Sequence, residues 1–479
     1  MKITRILTIG VTLVPAFTDA LALHKREGGA PRVLGLNIER RQIEDPVRRD
    51  RLRKRASTVE ALLQNEETLY FANISIGTPS QSVKLHIDTG SSDLWVNTPT
   101  STECKTKSQC LYSGTYNANS SSTYTFVASN FNISYADGSE ASGDYVKDTV
   151  TIGGSTLASQ QFGIGYTSSS QEGILGIGYT ANEVWAGKLG LEAYDNVPAN
   201  MVTQGLISSN AYSLWLNDLD ANTGSILFGG IDTDKFSGTL STLPIQKVSG
   251  IYAEFLITLT GVSYGSTTIA SDEAIAVLLD SGTSLTYLPD EMTNAIYESI
   301  GAQYNSDYGA AVVDCSLASS SSSLNFTFTD PVISIPMNEL ILQVGPTTGG
   351  QEACLFGIAP VGSSTPVLGD TFLRSAYVVY DVSNNEISIG QTRFNVTTSN
   401  VVEISNGTTG VPSATSVPNA ATATDGVDTS SFPKTVDLGV PTLTSTSTVT
   451  PTAGAAPMRS VAPLGAMALA GAGMIYVAM

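Results

Sequence analysis

At 479 residues the chain is too long for one ordinary hydrophobic core and long enough for two lobes with accessory segments. A net charge of −19 argues against nucleic acid as a partner, and two histidines, His24 and His86, leave no His-rich metal site. Abundant glycine, only 14% charged residues and many Ser/Thr-rich strand-like stretches read as a mostly β protein.

Residues 1–22 read as a secretory signal: Lys2 and Arg5, an apolar run over 6–17, then Ala20-Leu21-Ala22 as a cleavage site. The run is shorter than the roughly 20 residues that a membrane span needs. Residues 23–55 hold eleven Lys/Arg against five Asp/Glu, whereas from Ala56 onward 11 Lys/Arg face 37 Asp/Glu. A basic leader on an acidic body is a matched pair of opposite charges. The leader carries four dibasic pairs, and the last, Lys54-Arg55, marks a propeptide cleavage that would start the mature chain at Ala56.

A first lobe is expected over 56–243 and a second over 244–399. Val83, Leu85 and Ile87 alternate as in a half-buried strand, which ends in Asp88-Thr89-Gly90-Ser91-Ser92. Residues 131–135 read as another strand running into the turn Ala136-Asp137-Gly138. In the second lobe, apolar residues 276–279 lead to Asp280-Ser281-Gly282-Thr283-Ser284, 192 residues after the first copy. Pro289-Asp290-Glu291, followed by Met292, Ile296 and Ile300, reads as a helix with an acidic first turn. Each Asp is followed 86 to 89 residues later by apolar-apolar-Gly: Ile174-Leu175-Gly176 and Val367-Leu368-Gly369. One D-T-G-S is only turn chemistry. Two facing turns would put two carboxylates in contact, where they cannot both ionise and must share a proton. His86, two residues before Asp88, reads as a structural neighbour.

Four cysteines allow three pairings, and their spacing matches no zinc site. Paired cysteines fit an oxidising, secreted compartment. Asn73, Asn119, Asn132, Asn325, Asn395 and Asn406 each begin an N-x-[ST] glycosylation signal. Residues 400–453 are dominated by Ser and Thr and read as a coreless, O-glycosylated stalk. Residues 454–479 combine small residues at Gly454-Ala455-Ala456, a spacer and an uncharged apolar end, the pattern of a GPI signal attached near Gly454.

The duplicated D-[TS]-G, the two apolar-apolar-Gly runs, Tyr135-Ala136-Asp137-Gly138-Ser139 and Trp95 together resemble the pepsin-type aspartic endopeptidases over roughly residues 66–396. With leader, stalk and tail, the layout resembles the fungal GPI-anchored yapsins and the candidapepsins. The loop between Cys104 and Cys110 departs from yapsins, which often carry a long insertion there. The resemblance implies a bilobal β fold with a cleft between two related lobes. It implies a catalytic pair Asp88 and Asp280, and cross-bonding hydroxyls on Thr89 and Ser281. Gly90 and Gly282 would bring backbone N–H groups to the carboxylates, and Ser91 and Thr283 would bond their outer oxygens. Tyr135, Asp137 and Gly138 would form a flap, with Tyr135 bonded to Trp95. One disulfide per lobe is implied, Cys104–Cys110 and Cys315–Cys354. Peptide and protein substrates, no cofactor, a monomer, and a GPI-anchored place at the outer face of the plasma membrane or cell wall also follow. A catalytically inactive pepsin-like binding or wall glycoprotein is the alternative. Such proteins typically lose an Asp or the flap Tyr, and this chain keeps all three.

Overall fold

Apolar residues at every second position make the first lobe. The strands are β1 (Leu34–Glu44), β2 (Glu66–Ile76), β3 (Gln81–Asp88), β4 (Leu94–Asn97), β5 (Thr125–Ser134), β6 (Glu140–Ile152), β7 (Ser155–Ser168), β8 (Gly173–Gly176), β9 (Ala211–Trp215) and β10 (Thr223–Phe228). Val83, Leu85 and Ile87 of β3 are buried, and β3 pairs antiparallel with β2, setting Ile74 opposite Val83. The computed structural model describes residues 32–426, apart from 45–65, 106–109, 136–137, 222, 307, 347–351, 407–409 and 425.

The chain continues through β11 (Gly230–Asp232), β12 (Leu240–Pro244), β13 (Leu256–Tyr264) and β14 (Thr267–Leu279). A 14-stranded sheet runs through both halves, because strands Ala376–Asp381 and Glu386–Gln391 return from the second half to join β9 and β12. A boundary at 243/244 therefore falls inside β12, a strand of this shared sheet. The second lobe adds a seven-stranded sheet built on β13 and β14, and a four-stranded one. The helix expected after the second Asp loop spans Asp290–Ile300, buries Met292 and Ile296, and ends on Gly301 at φ 72°.

Two segments read as accessories are built into the body. The leader contributes β1, which lies between β2 and β10. Its Leu34, Leu36 and Ile38 are buried, each worth about 1.5–3 kcal/mol. Arg41 forms an ion pair with Glu172 and lies 4.4 Å over the Tyr112 ring. Charge is thus one part of how the leader is held, beside a strand ladder and an apolar face.

The chain from residue 400 to 426, read as the start of a stalk, is packed. Val401–Glu403 pairs with β11, Ala414–Ser416 runs parallel to β12, and Thr424 N–H donates to the Ala274 carbonyl at 2.8 Å. The reason is local: Ile404 and Val411 are buried, and the edge of β12 offers unpaired backbone groups. A Ser/Thr average over fifty residues hides two anchoring side chains. Lys54, Arg55, Gly454, the signal, and the stalk from 427 onward lie outside the described residues.

Cys104–Cys110 and Cys315–Cys354 are the two disulfides, one in each half.

Candidate active site

Each apolar run delivers its Asp at the end of a strand, and each apolar-apolar-Gly lies alongside it. β8 runs parallel to β3 with Leu175 beside Ile87 and Gly176 beside Asp88. Val367 and Leu368 run parallel to β14, beside Leu278 and Leu279. The following loops cross so closely that a Cβ on Gly176 would lie 2.7 Å from backbone atoms of Asp93. On Gly369 it would meet the Thr283 and Leu285 carbonyls at 2.3 Å. The glycines are there because a backbone passes over them.

The two loops then hold each other by a near-symmetric exchange. Thr89 Oγ1 accepts from Ser281 N–H at 2.9 Å and donates to the Leu279 carbonyl at 2.9 Å. Ser281 Oγ accepts from Thr89 N–H at 3.2 Å and donates to the Ile87 carbonyl at 3.0 Å. Within each loop the carboxylate is oriented in the same way. Gly90 N–H donates to Asp88 Oδ1 at 2.9 Å, and Ser91 Oγ donates to Oδ2 at 2.5 Å. Gly282 N–H donates to Asp280 Oδ1 at 2.8 Å, and Thr283 Oγ1 donates to Oδ2 at 2.5 Å. Asp88 and Asp280 are almost fully buried, 3% and 1% exposed. A Cβ on Gly90 would stand 2.6 Å from Asp280 Oδ1, and one on Gly282 would be closer still to Asp88 Oδ1. Each glycine thus abuts the opposite carboxylate, and the two acids face each other. Short donors of this kind fix the orientation of each carboxyl group.

Tyr135 stands at the base of the β5–β6 hairpin, where its backbone N–H donates to the Ser139 carbonyl at 2.8 Å. Gly138 takes φ 75° in the turn, while Ala136 and Asp137 lie outside the described residues. Trp95 Nε1 donates to Tyr135 Oη at 2.7 Å. Burial and the nearby Asp88 push the Tyr135 hydroxyl well above its ordinary value, so it keeps its proton. His86 is buried with its ring 5.8 Å from Phe71, a packing contact one strand away.

Sequence reasoning missed a second acidic cluster behind Trp95. Asp93 Oδ1 accepts from the hydroxyls of Tyr145 and Tyr194, both at 2.9 Å, and its Oδ2 accepts from Val184 N–H at 2.8 Å. Glu183 Oε2 accepts from Tyr194 N–H at 3.1 Å. Burial, then the charge of Asp93, push the Glu183 carboxyl up to about 10. Burial also raises Asp93, against the pull of its three donors. The available signal was the acidic Asp93 set between Ser92 and the apolar Leu94-Trp95.

Of the six glycosylation signals, Asn73, Asn119, Asn132, Asn395 and Asn406 are exposed. Asn325 is half-buried, donating from Nδ2 to Ser263 Oγ at 3.3 Å and accepting from Ser334 Oγ at 2.7 Å.

Residues 69–392 match the family described as "Eukaryotic aspartyl protease". The chain is similar to "Probable aspartic-type endopeptidase opsB" of Aspergillus oryzae, 56% identical over 416 residues and covering 85% of each chain. It is similar to "Secreted aspartic protease 8" of Candida albicans, 37% identical over 353 residues, 72% of this chain and 81% of that one. Among solved structures, the aspartic proteinase from Irpex lacteus superposes with a TM-score of 0.58 at 25% identity, over 69% of this chain and 96% of that one. Two Asp loops, one from the 14-stranded and one from the seven-stranded sheet, grip each other, and a family match spans both; the chain belongs to the eukaryotic aspartyl proteases.

Proposed function

We propose that the protein is a secreted, GPI-anchored aspartic endopeptidase in which Asp88 and Asp280 share one proton. The ionised carboxylate takes a proton from a water, and the protonated one donates to the scissile carbonyl oxygen as the water oxygen bonds to its carbon. The tetrahedral species collapses when the carboxyl that took the water proton gives it to the leaving nitrogen, the C–N bond breaks, and the other carboxylate takes a proton back from one hydroxyl, which restores the shared proton. No enzyme nucleophile and no metal take part. The pair titrates as a unit, so neither Asp owns the base role. Tyr135, bonded to Trp95, closes over the peptide and excludes water. The observation that carries this reading is the hydroxyl exchange between Thr89 and Ser281, which sets the two carboxylates face to face.

Digestion of casein at pH 4, with and without a statine-type inhibitor, tests it. Asp88→Asn and Asp280→Asn keep the shape but cannot share the proton. Each should lose at least about 10²-fold in activity while remaining folded. A folded single mutant that keeps more than about 1% of activity sinks the dyad. EDTA should leave activity unchanged.

The leader would be cut after Arg55, and the five exposed asparagines would carry glycans. Asn325 would not, because its Nδ2 already bonds Ser263. Attachment at Gly454 predicts that phosphatidylinositol phospholipase releases the mature protein from detergent. Recovery of residues 464–479 in mature material would replace the lipid with a tail-anchored helix.

A further inference from the structure

We propose that Glu183 is a positioning residue for the flap-side wall of the cleft and works only while its carboxyl is neutral. Once it ionises beside Asp93, two buried negative charges part segment 183–194 from the base of Trp95, and the Trp95–Tyr135 contact is lost. This rests on the protease reading for its effect on activity, but not for its effect on structure.

Glu183 has no exposed surface and Asp93 is 1% exposed. Among the described residues neither acid takes part in an ion pair. Asp93 is satisfied as an anion by Tyr145, Tyr194 and the Val184 N–H. Glu183 is not: Oε2 has the Tyr194 N–H and Oε1 has no partner. A carboxylate with one bare oxygen, buried beside another acid, is held only as the neutral acid. The groups that face Glu183 make this worse. Asp93 comes from the loop before β4, Tyr145 from β6, and Tyr194 and Asp195 from the segment after the π-turn Val184–Lys188. All are acids.

The path to the flap is a run of contacts. Val184 N–H ties the Glu183 segment to Asp93, two residues before Trp95. Trp185 meets Tyr145 at 5.0 Å between ring centroids, Tyr145 meets Phe131 at 5.2 Å, and Phe131 meets Trp95 at 6.4 Å. Val184 and Trp185 pack in one cluster with Trp95 and Tyr135. The closed wall holds a proton that an opened one gives up near pH 4.5, so each further pH unit favours opening by about tenfold.

The test follows tryptophan emission and peptidase activity from pH 3 to 9. Trp95 and Trp185 are two of the three tryptophans, so emission reports on this cluster. Wild type should show a transition as pH rises, and Glu183→Gln should raise its midpoint by at least about one pH unit. The alkaline limb of kcat/KM should move with it. Should Glu183→Gln not fold, Asp93→Asn removes the opposing charge and should give the same shift. A variant whose two midpoints match wild type overturns the proposal, as does an emission change while kcat/KM holds. The emission series is repeated on Asp280→Asn. If that protein shows the transition but wild type has no peptidase activity, the positioning role stands and the protease reading falls.

Discussion

Thr89 and Ser281 join the lobes through their hydroxyls rather than their bulk, which makes isosteric replacement informative. Thr89→Val keeps the shape but leaves Ser281 N–H and the Leu279 carbonyl without a bond. Each buried orphan costs about 1–3 kcal/mol. We expect a urea-unfolding loss of about 2–5 kcal/mol for Thr89→Val, and near-wild-type behaviour for Thr89→Ser. Gly282→Ala acts differently. Its Cβ must displace Asp88 Oδ1, so activity should fall by far more than the loss of stability accounts for. At this scale much of the site was legible. Asp88, Asp280 and their flanking glycines and hydroxyls are local in sequence, and their duplication gave the pairing. Asp93 and Glu183 were not legible, because 90 residues separate them and neither lies in a repeated pattern.

The elements that escaped the sequence reading share one property: their partners are distant. β1 pairs Leu34 with Phe228, and the chain at 414–416 pairs with β12. Neither segment carries a turn or a repeat that points to its partner. The ends of β3 and β14 were legible because an alternating or continuous apolar run and the Asp that follows it are contained in a few residues. The packed chain at 400–426 gives a direct prediction. A protein ending after 426 should stay soluble and active. One ending after 399 loses the buried Ile404 and Val411, about 1.5–3 kcal/mol each, and leaves the edge of β12 open to other chains. It should melt earlier and aggregate; equal melting of the two would show that this segment only rests on the body.

For the whole molecule, buried acids set how stability follows pH. Glu183 is raised from 4.5 to about 10, and Asp93, Asp381 and Glu386 are raised by burial. The folded chain keeps these protons where the unfolded chain has released them. Their stabilisation is therefore complete below the unfolded values and is lost as pH rises through the folded ones. Each such group removes up to about 1.4 kcal/mol per pH unit in that window. Asp148, lowered by its hydroxyl and backbone donors against the cost of burial, acts oppositely and weakens the fold only as pH falls below its ordinary range. Urea midpoints measured from pH 3 to 8 should peak near pH 4–5 and fall toward neutral. A steady rise to pH 8 would contradict this. The acid optimum expected of a shared-proton pair then coincides with the range in which the body is firmest.

The packed chain at 400–426 also decides how far the cleft can travel. Composition assigned the tether to 400–453, but residues 401–404, 411, 414–417 and 424 are bound to the body, and Gly426 lies against the Ala276 backbone of β14. Only residues 427–453 are left between that point and Gly454. Whatever their conformation, 27 residues reach at most about 90–97 Å, at roughly 3.3–3.6 Å each. A lipid-held protein would therefore patrol a shell no deeper than about 90–97 Å above its membrane. Its substrates would be the neighbours within that radius, and the leash would leave from beside the strand that leads into Asp280.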